Sequence, residues 1–338
     1  MSERFSEVEK ELRARPRRFV VTGGAGFIGS HLVETLCTWG QDVVVVDNLA
    51  TGKRDNIAPF LARGVHFIEA DINDPVAMAE ACRGASVVLH QAALGSVPRS
   101  LADPLASHRA NVDGFVTALL AARDAGVARF VYASSSSVYG DEPVLPKVED
   151  RIGEPLSPYA ATKRINEIYA RVFQNAYSIE CVGLRYFNVF GPRQDKNGPY
   201  AAVIPKWVGA LLDGEVCQIN GDGETSRDFC YVNNAVQANL LGALAPSSST
   251  NQVYNVACGE RTTLVTLYGL IRDQLAHRRP ELAGAEATFG PFRPGDVRHS
   301  LADVDKARRL LGYNPTHRVQ DGLQEALEWY VAAHQAGS

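Results

Sequence analysis

Short runs of apolar residues alternate along the chain with longer segments in which apolar positions recur every three or four residues. Four valines follow one another at 43–46, and such continuous hydrophobicity is typical of strands covered on both faces. The pattern predicts an α/β protein built on a Rossmann-type, doubly wound parallel sheet. The predicted strands are residues 18–21, 43–46, 65–69, 87–90, 130–133 and 181–184.

Two long segments between these strands predict crossover helices at residues 104–125 and 158–176. Each begins with proline, which is accepted at the first position of a helix. Near the start of the chain, mixed acidic and basic residues predict a short surface helix at residues 6–13, whose charges we interpret as a solvated face.

Glycine and proline become denser after Leu184, which indicates a second, smaller α/β region. A helical pattern through Leu244 and a strand-like segment at 253–257 indicate that the chain returns to the first domain before it leaves again. We therefore predict two interleaved domains and an N-terminal extension. The larger domain comprises residues 17–185 and 228–258, the smaller comprises 186–227 and 259–334, and the extension comprises 1–16.

Composition narrows the class of protein. The chain has 338 residues, a formal net charge of -4 and a pI near 6.1, so charge gives no indication of a nucleic-acid or anionic-membrane partner. Its six cysteines are scattered without a Cys-x-x-Cys pair, which favours reduced thiols and argues against a metal site. No secretory signal or transmembrane-length apolar run is present, and we expect a cytoplasmic protein.

A glycine-rich loop predicts the cofactor. Gly23, Gly26 and Gly29 follow a strand and open a helix, and Asp47 ends the next strand. The glycines allow close approach to a pyrophosphate, and the carboxylate can bind a ribose diol while it repels a 2'-phosphate. The predicted cofactor is NAD. Its predicted contacts are Gly23, Gly26, Phe27, Ile28, Gly29, Asp47, Asn48, Asp71, Ile72, Gln91, Ala92, Ala93, Asn111, Tyr159, Lys163 and Phe187.

Two polar residues in this region have structural as well as functional interpretations. His90 ends a strand, and we interpret it as a structural histidine and not a catalytic one. Asn111 lies in a predicted helix and is either solvated or a buried polar brace.

Tyr159 and Lys163 lie four residues apart and so face the same side of the second crossover helix. An adjacent cation favours a phenolate and lowers the pKa of the phenol, which allows a tyrosine to act as a base. The serine run 134–137 follows a predicted strand and places hydroxyl groups at the edge of the sheet where a nicotinamide would lie. We expect these residues to form the reactive centre.

These features together resemble the extended short-chain dehydrogenase/reductase superfamily across essentially the whole chain. The segments 184–188, 227–229 and 293–296 are similar to motifs of nucleotide-sugar 4-epimerases. The segments 92–100, 200–207 and 220–227 are similar to those of bacterial UDP-N-acetylglucosamine 4-epimerases that feed surface-polysaccharide synthesis, including O-antigen. The N-terminal extension also resembles theirs.

The resemblance implies that Ser135 bridges substrate and phenol, Tyr159 is the base, and Lys163 holds the ribose and lowers the pKa of the phenol. Tyr159 would remove the 4-hydroxyl proton while C4 gives a hydride to NAD; the 4-keto sugar would turn over and regain hydride on its other face. The implied contacts with the UDP-sugar are Gly95, Ser96, Ser135, Ser136, Ser137, Tyr159, Asn188, Ala201, Val203, Lys206, Asn220, Arg227, Arg293, Asp296 and Ser300.

Within that set, Asn188, Arg227 and Arg293 would hold the UDP group, and Asp296 would orient either the uridine end or Arg293. Ser300 takes the place where a tyrosine confines relatives to plain hexoses, and it leaves room for an acetamido group. The resemblance also implies a homodimer formed through the helices around Asn111 and Asn166.

Several alternatives share this fold: a UDP-glucose 4-epimerase, a nucleotide-sugar 4,6-dehydratase, a UDP-glucuronate decarboxylase and a non-catalytic NAD-binding regulator. The dehydratases and decarboxylases carry acidic residues after the bridging hydroxyl, where this chain has Ser136 and Ser137. The regulators commonly lose part of the catalytic set. Plain, N-acetylated and uronic UDP-sugars all stay open as physiological substrates.

Overall fold

The structure is a computed structural model that describes residues 2–195, 202–292 and 297–336. Its strands are β1 (Arg18–Thr22), β2 (Asp42–Asp47), β3 (His66–Glu69), β4 (Val87–His90), β5 (Arg129–Ser135), β6 (Glu180–Tyr186), β7 (Val189–Phe190), β8 (Gln218–Asn220), β9 (Ser226–Arg227), β10 (Cys230–Tyr231), β11 (Gln252–Val256), β12 (Thr262–Thr263) and β13 (Thr288–Gly290). Its helices are α1 (Glu3–Ala14), α2 (Phe27–Thr38), α3 (Ala58–Leu61), α4 (Pro75–Cys82), α5 (Val97–Ala102), α6 (Pro104–His108), α7 (Gly114–Asp124), α8 (Pro158–Tyr177), α9 (Val203–Leu212), α10 (Val232–Ala243), α11 (Leu264–Ala276), α12 (Asp305–Leu311) and α13 (Val319–Ala336).

Seven strands form a parallel sheet in the order β11-β6-β5-β4-β1-β2-β3. The valines of β2 show why both faces are covered: Val43 and Val45 belong to one hydrophobic cluster, and Val44 and Val46 belong to another. Helices therefore pack on both sides of the sheet, and the predicted doubly wound Rossmann-type fold is confirmed.

The first predicted crossover helix is interrupted. Between α6 and α7 the residues Arg109–Asp113 form a single π-helical turn, which widens the helix locally. Asn111 lies in this turn and is buried. The second crossover helix, α8, ends one residue beyond the predicted limit.

The N-terminal helix is longer than the surface helix predicted at 6–13, and one of its faces is buried. It spans Glu3–Ala14, and Phe5, Val8 and Leu12 are buried. These residues share one face, and the ring of Phe5 lies 5.6 Å from that of Trp39. The charged residues occupy the other face, so the helix is amphipathic and extends the core beneath one side of the sheet.

Beyond β6 the chain builds a separate hydrophobic cluster, in which Trp207 of α9, Leu267 of α11 and Leu323 of α13 are buried. The predicted strand at 253–257 is β11, which pairs with β6, so the chain does return to the large sheet. The predicted loop at 291–295 lies partly outside the described residues. Among the described residues, no helix is both long and apolar enough to cross a membrane.

Candidate active site

A cavity of about 820 Å³ opens at the carboxyl ends of the central strands. Ligands of parallel α/β sheets bind at this edge, because the loops that follow the strands converge there. Most of the predicted site residues line it, namely Gly23, Gly26, Phe27, Ile28, Gly29, Asp47, Asn48, Asp71, Ile72, Gln91, Ala92, Ala93, Gly95, Ser135, Tyr159, Lys163 and Asn188.

The glycine loop lies where side chains would collide. Gly23 has a φ of +67°, and a Cβ on Gly29 would lie 2.1 Å from the carbonyl oxygen of Gly23. Gly26 precedes α2 without a side-chain cap, so the first amides of this helix keep their hydrogen-bonding capacity. Open amides at a helix N-terminus suit a pyrophosphate, and the loop therefore fits NAD.

Asp47 connects the glycine loop to the end of β2. Its Oδ2 accepts a hydrogen bond from the Ala25 amide at 3.0 Å, and its Oδ1 accepts one from the Leu49 amide at 2.8 Å. Burial raises the pKa of Asp47, although these amide bonds favour the ionised form. The carboxylate thus fixes the loop and faces the cavity.

Tyr159 and Lys163 lie on one face of α8 and both line the cavity. The Nζ of Lys163 donates to the Ala133 carbonyl at 2.8 Å and lies 6.0 Å from the centre of the Tyr159 ring. Burial lowers the pKa of Lys163 to about 8.

The expected lowering of the Tyr159 pKa is not what this arrangement gives. Burial raises the pKa of Tyr159, while a hydrogen bond with Ser135 acts in the opposite direction. The physical reason is that burial disfavours the charged phenolate, and the ammonium of Lys163 is directed to a backbone carbonyl. The interaction with Ser135 therefore favours the basic form of Tyr159.

The serine loop fixes the direction of the Ser135 hydroxyl. Its oxygen accepts hydrogen bonds from the amide of Ser137 at 3.1 Å and from the hydroxyl of Ser137 at 3.0 Å. Since a hydroxyl has two acceptor lone pairs and one proton, the proton of Ser135 stays available to Tyr159 or to a substrate oxygen.

Some predicted cofactor contacts lie behind the cavity instead of lining it. Asn111 is the buried brace: its oxygen accepts from the Leu94 amide at 2.8 Å, and its nitrogen donates to Thr162 at 3.1 Å. Phe187 is fully buried, with its ring 5.9 Å from that of Tyr139. His90 is structural, because it pairs with Thr22 at 3.0 Å and burial lowers its pKa to about 3.

The predicted sugar-nucleotide residues of the second region are joined through the backbone. The side-chain Nδ2 of Asn188 donates to the backbone carbonyl of Asp228 at 3.2 Å, next to Arg227. The amide of Ser300 donates to the Ser226 carbonyl at 3.0 Å, so Ser300 and Arg227 lie on adjoining segments.

Other predicted sugar contacts do not line the cavity. Ser96 caps α5 by accepting from the amide of Arg99. The lining also omits Ser136, Ser137, Val203, Lys206, Asn220, Arg227 and Ser300. Ala201, Arg293 and Asp296 lie outside the described residues.

A hydrogen-bonded triangle at the base of the cavity was not predicted from the sequence. The Tyr186 hydroxyl donates to Gln91 at 3.0 Å, Gln91 donates to Asn239 at 2.9 Å, and Asn239 donates to Tyr186 at 2.7 Å. Tyr186 ends β6, so its place at a strand end was a usable signal. Asn239 lies inside α10, and no sequence pattern indicates its role.

Further lining residues were also missed. Arg109 and Asp113 line the cavity from the π-helical turn, and Leu94 lines it from the loop that follows β4. Its position after a strand end would have indicated Leu94. Ser134, which belongs to the predicted serine run, also lines the cavity.

The fold and the cavity define a nucleotide-binding α/β enzyme with a tyrosine, a lysine and a serine at its reactive edge. The model of the NAD dependent epimerase/dehydratase family matches residues 19–257, more than half of the chain. The chain belongs to this family. It is an epimerase-family enzyme, and NAD is its cofactor.

Three similar proteins span nearly the whole chain. A UDP-glucose 4-epimerase of Mycolicibacterium smegmatis is 37% identical over 93% of this chain and 98% of its own. The structure of a UDP-N-acetylglucosamine 4-epimerase from Methanobrevibacter ruminantium, in complex with UDP-N-acetylmuramic acid, is 38% identical, with a TM-score of 0.88 over 94% of this chain and 99% of its own. DesIV, a dTDP-glucose 4,6-dehydratase from Streptomyces venezuelae with NAD bound, is 32% identical, with a TM-score of 0.85 over 94% and 98%.

Proposed function

We propose that the protein is a UDP-N-acetylglucosamine 4-epimerase that interconverts UDP-GlcNAc and UDP-GalNAc. The observation that carries the proposal is the serine loop beside Tyr159. Positions 135–137 present hydroxyl groups only, and Ser137 is engaged with Ser135. Such a site can move one proton at a sugar hydroxyl but offers no acid and base for loss of water.

The chain's own residues can perform this proton transfer. Tyr159 as phenolate removes the proton from the 4-hydroxyl of the sugar and later returns it to the same oxygen. Ser135 donates to the phenolate or to the substrate oxygen, because its lone pairs are already used. Lys163 places a cation near Tyr159 and would hold the ribose. The chemistry that bound NAD would supply here is reversible acceptance of the C4 hydride.

The carboxylates of the cavity support an epimerase rather than a dehydratase. Among the described residues, those in the lining are Asp47, Asp71 and Asp113. Asp47 accepts from backbone amides, Asp71 accepts from Asn48 and Asn73, and Asp113 lies 3.7 Å from His108. None of these carboxylates or their partners is in the serine loop.

One assay tests the proposal. The purified protein is incubated with UDP-GlcNAc, UDP-GalNAc, UDP-glucose and UDP-galactose, and the products are identified by mass and by the configuration at C4. We expect copurified NAD and interconversion of the N-acetylated pair without a change in mass. A product of lower mass would replace the proposal with dehydration or decarboxylation, and tight NAD binding without turnover would favour a regulator. UDP-glucuronate and its N-acetylated form are assayed in parallel.

Ser300 is the proposed determinant of the sugar. It lies beside the segment that carries Arg227, and its amide is bound to Ser226. A small side chain there would leave space for the acetamido group. The similar UDP-N-acetylglucosamine 4-epimerase and the similar UDP-glucose 4-epimerase are about equally identical to this chain, so the site and not overall similarity must decide.

We predict that Ser300→Tyr lowers kcat/KM for UDP-GlcNAc by about tenfold or more, because the ring occupies the space for the acetamido group. UDP-glucose should be affected less. Ser300→Ala is the matched control and should leave both reactions near the starting rate. Equal losses for both sugars in steady-state assays would show that Ser300 does not select between them.

We also propose that residues 17–185 and 228–258 bind NAD and that 186–227 and 259–334 bind the UDP-sugar. The support is the separate hydrophobic cluster of α9, α11 and α13. In the cytoplasm the product would supply N-acetylgalactosamine for a surface polysaccharide such as O-antigen.

The proposed homodimer would form across the outer face of α5 to α8. Leu101, Leu105, Leu120, Ile168 and Val172 are all exposed on these helices, with Leu105 67% accessible. Exposed apolar side chains that form a patch are typical of an interface between subunits.

We predict that Val172→Glu converts the dimer to a monomer, because the carboxylate would be buried without a partner. Multi-angle light scattering measures the mass. Val216→Glu is the matched control, since Val216 is 66% accessible and lies before β8, outside α5 to α8. A dimer that persists in Val172→Glu would place the interface elsewhere.

A further inference from the structure

A buried polar chain lies directly behind the serine loop. The hydroxyl of Ser134 donates to Oε1 of Glu167 at 2.7 Å, and the two residues are 2% and 5% exposed. Glu167 follows Tyr159 and Lys163 on α8 at intervals of four residues, so the three share one helix face. The proposed proton transfer uses neither Ser134 nor Glu167.

Arg185 holds the carboxylate of Glu167 with two parallel hydrogen bonds. Its Nε lies 2.8 Å from Oε1 and its Nη2 lies 2.9 Å from Oε2. Arg185 is 1% exposed and is the β6 residue paired with Ser134 of β5. Burial opposes the charge, but the hydrogen bonds and charge of Arg185 hold the pKa of Glu167 below its usual value. The bidentate geometry fixes the orientation of the carboxylate.

The end of β5 is matched residue by residue to α8. The carbonyl of Ala133 accepts from Lys163 at 2.8 Å, and the hydroxyl of Ser134 donates to Glu167 at 2.7 Å. Ser135 and Tyr159 both line the cavity, and the interaction with Ser135 lowers the pKa of Tyr159. Three consecutive strand residues therefore act on three helix residues spaced one turn apart. The middle contact, between Ser134 and Glu167, is the one that the buried ion pair of Glu167 with Arg185 supports.

Packing alone does not account for the buried ion pair of Glu167 and Arg185. Taking a glutamate and an arginine out of water costs free energy that a hydrophobic pair of similar volume would avoid. What the ion pair supplies is direction, because the carboxylate can meet Ser134 at only one position once Arg185 holds it.

We propose that Glu167, held by Arg185, is a positioning residue for the reaction: through Ser134 it fixes the end of β5 so that Ser135 meets Tyr159 at hydrogen-bonding distance. The inference rests on the proposed function for its kinetic consequence and on the described contacts for its geometry.

Ser134→Ala is the decisive variant, because it removes the hydroxyl and leaves both Arg185–Glu167 bonds in place. We expect kcat to fall about tenfold to a hundredfold, since small displacements of reacting groups have effects of this size. The KM for the UDP-sugar should not change. Ser134→Thr keeps a hydroxyl and should restore most of the rate.

Arg164→Met is the matched control. Arg164 donates to Oε2 of Glu167 at 3.1 Å from the surface, and its loss leaves the bonds to Ser134 and Arg185 intact. We expect its kcat to match that of the parent protein. A fall in kcat as large as that of Ser134→Ala would overturn the assigned path through Ser134.

A second readout does not require epimerisation. Ultraviolet difference titration of each holoenzyme against its Tyr159→Phe counterpart reports ionisation of Tyr159. In Ser134→Ala the pKa of Tyr159 should rise, because the hydrogen bond from Ser135 that lowers it is displaced. An unchanged titration would overturn the proposal, even if kcat falls. If no UDP-sugar is epimerised, the proposed function fails while this titration still decides the positioning role.

Discussion

Tyr159→Phe should reduce epimerisation about 10²–10⁴-fold, the contribution expected of a positioned acid–base group. The substitution removes one oxygen and keeps the ring, so the cavity and the buried face of α8 are preserved. NAD should still copurify, because the glycine loop and Asp47 are untouched. The measurement is kcat for UDP-GlcNAc, with bound cofactor quantified after denaturation.

Tyr177→Phe provides the matched control, because Tyr177 ends the same helix and is 49% accessible. It should retain full activity. The rate of the parent enzyme should rise with pH, because burial raises the pKa of Tyr159 and the active form is the phenolate. Full turnover by Tyr159→Phe would remove this residue from the mechanism and leave the base unassigned.

The pattern of apolar residues predicted the large sheet because its strands are buried on both faces. In β2 each valine packs against a cluster on its own side, so no polar position interrupts the run. The cofactor loop was predictable for a related reason. Glycine spacing, a following helix and Asp47 at the next strand end all describe local geometry, and parallel strands bring such ends together.

What the sequence could not predict depends on contacts between distant segments. The charges of the N-terminal helix predicted its solvated face, but the burial of Phe5, Val8 and Leu12 on the opposite face was not predicted. The apolar face is narrow, and the many charged residues around it made the segment look solvated throughout its sequence. The π-helical turn that buries Asn111 has no sequence signature, and its purpose is evident only from the bonds to Leu94 and Thr162.

The electrostatics of the reactive centre were also beyond the sequence. Four-residue spacing predicts that Tyr159 and Lys163 share a face, and they do. The direction of the Lys163 ammonium and the degree of burial of Tyr159 depend on how β5 meets α8. As a result of this arrangement, burial raises the pKa of Tyr159 and the interaction with Ser135 opposes the rise. The spacing of Tyr159 and Lys163 therefore indicates acid–base chemistry, whereas the contacts with β5 determine the pKa of Tyr159.

The same reasoning makes the glycine loop the most sensitive point of the cofactor site. In Gly29→Ala the new Cβ would lie 2.1 Å from the Gly23 oxygen and 2.8 Å from the Gly24 Cα, both backbone atoms. The loop must move, and overpacking of this kind costs about 1–3 kcal/mol. If that cost falls on the NAD-binding conformation, affinity for NAD should weaken about 5- to 150-fold.

Gly269→Ala is the matched control, because Gly269 lies within α11 and a Cβ there would meet no atom within 4 Å. Alanine is the better helix former, so this variant should be as stable as the parent protein or more stable. Calorimetric titration of NAD into cofactor-stripped protein measures affinity, and thermal unfolding measures stability. Parent-like NAD affinity in Gly29→Ala would contradict the need for glycine at this turn. Weak NAD binding in both variants would show that the loss of affinity is not specific to the glycine loop.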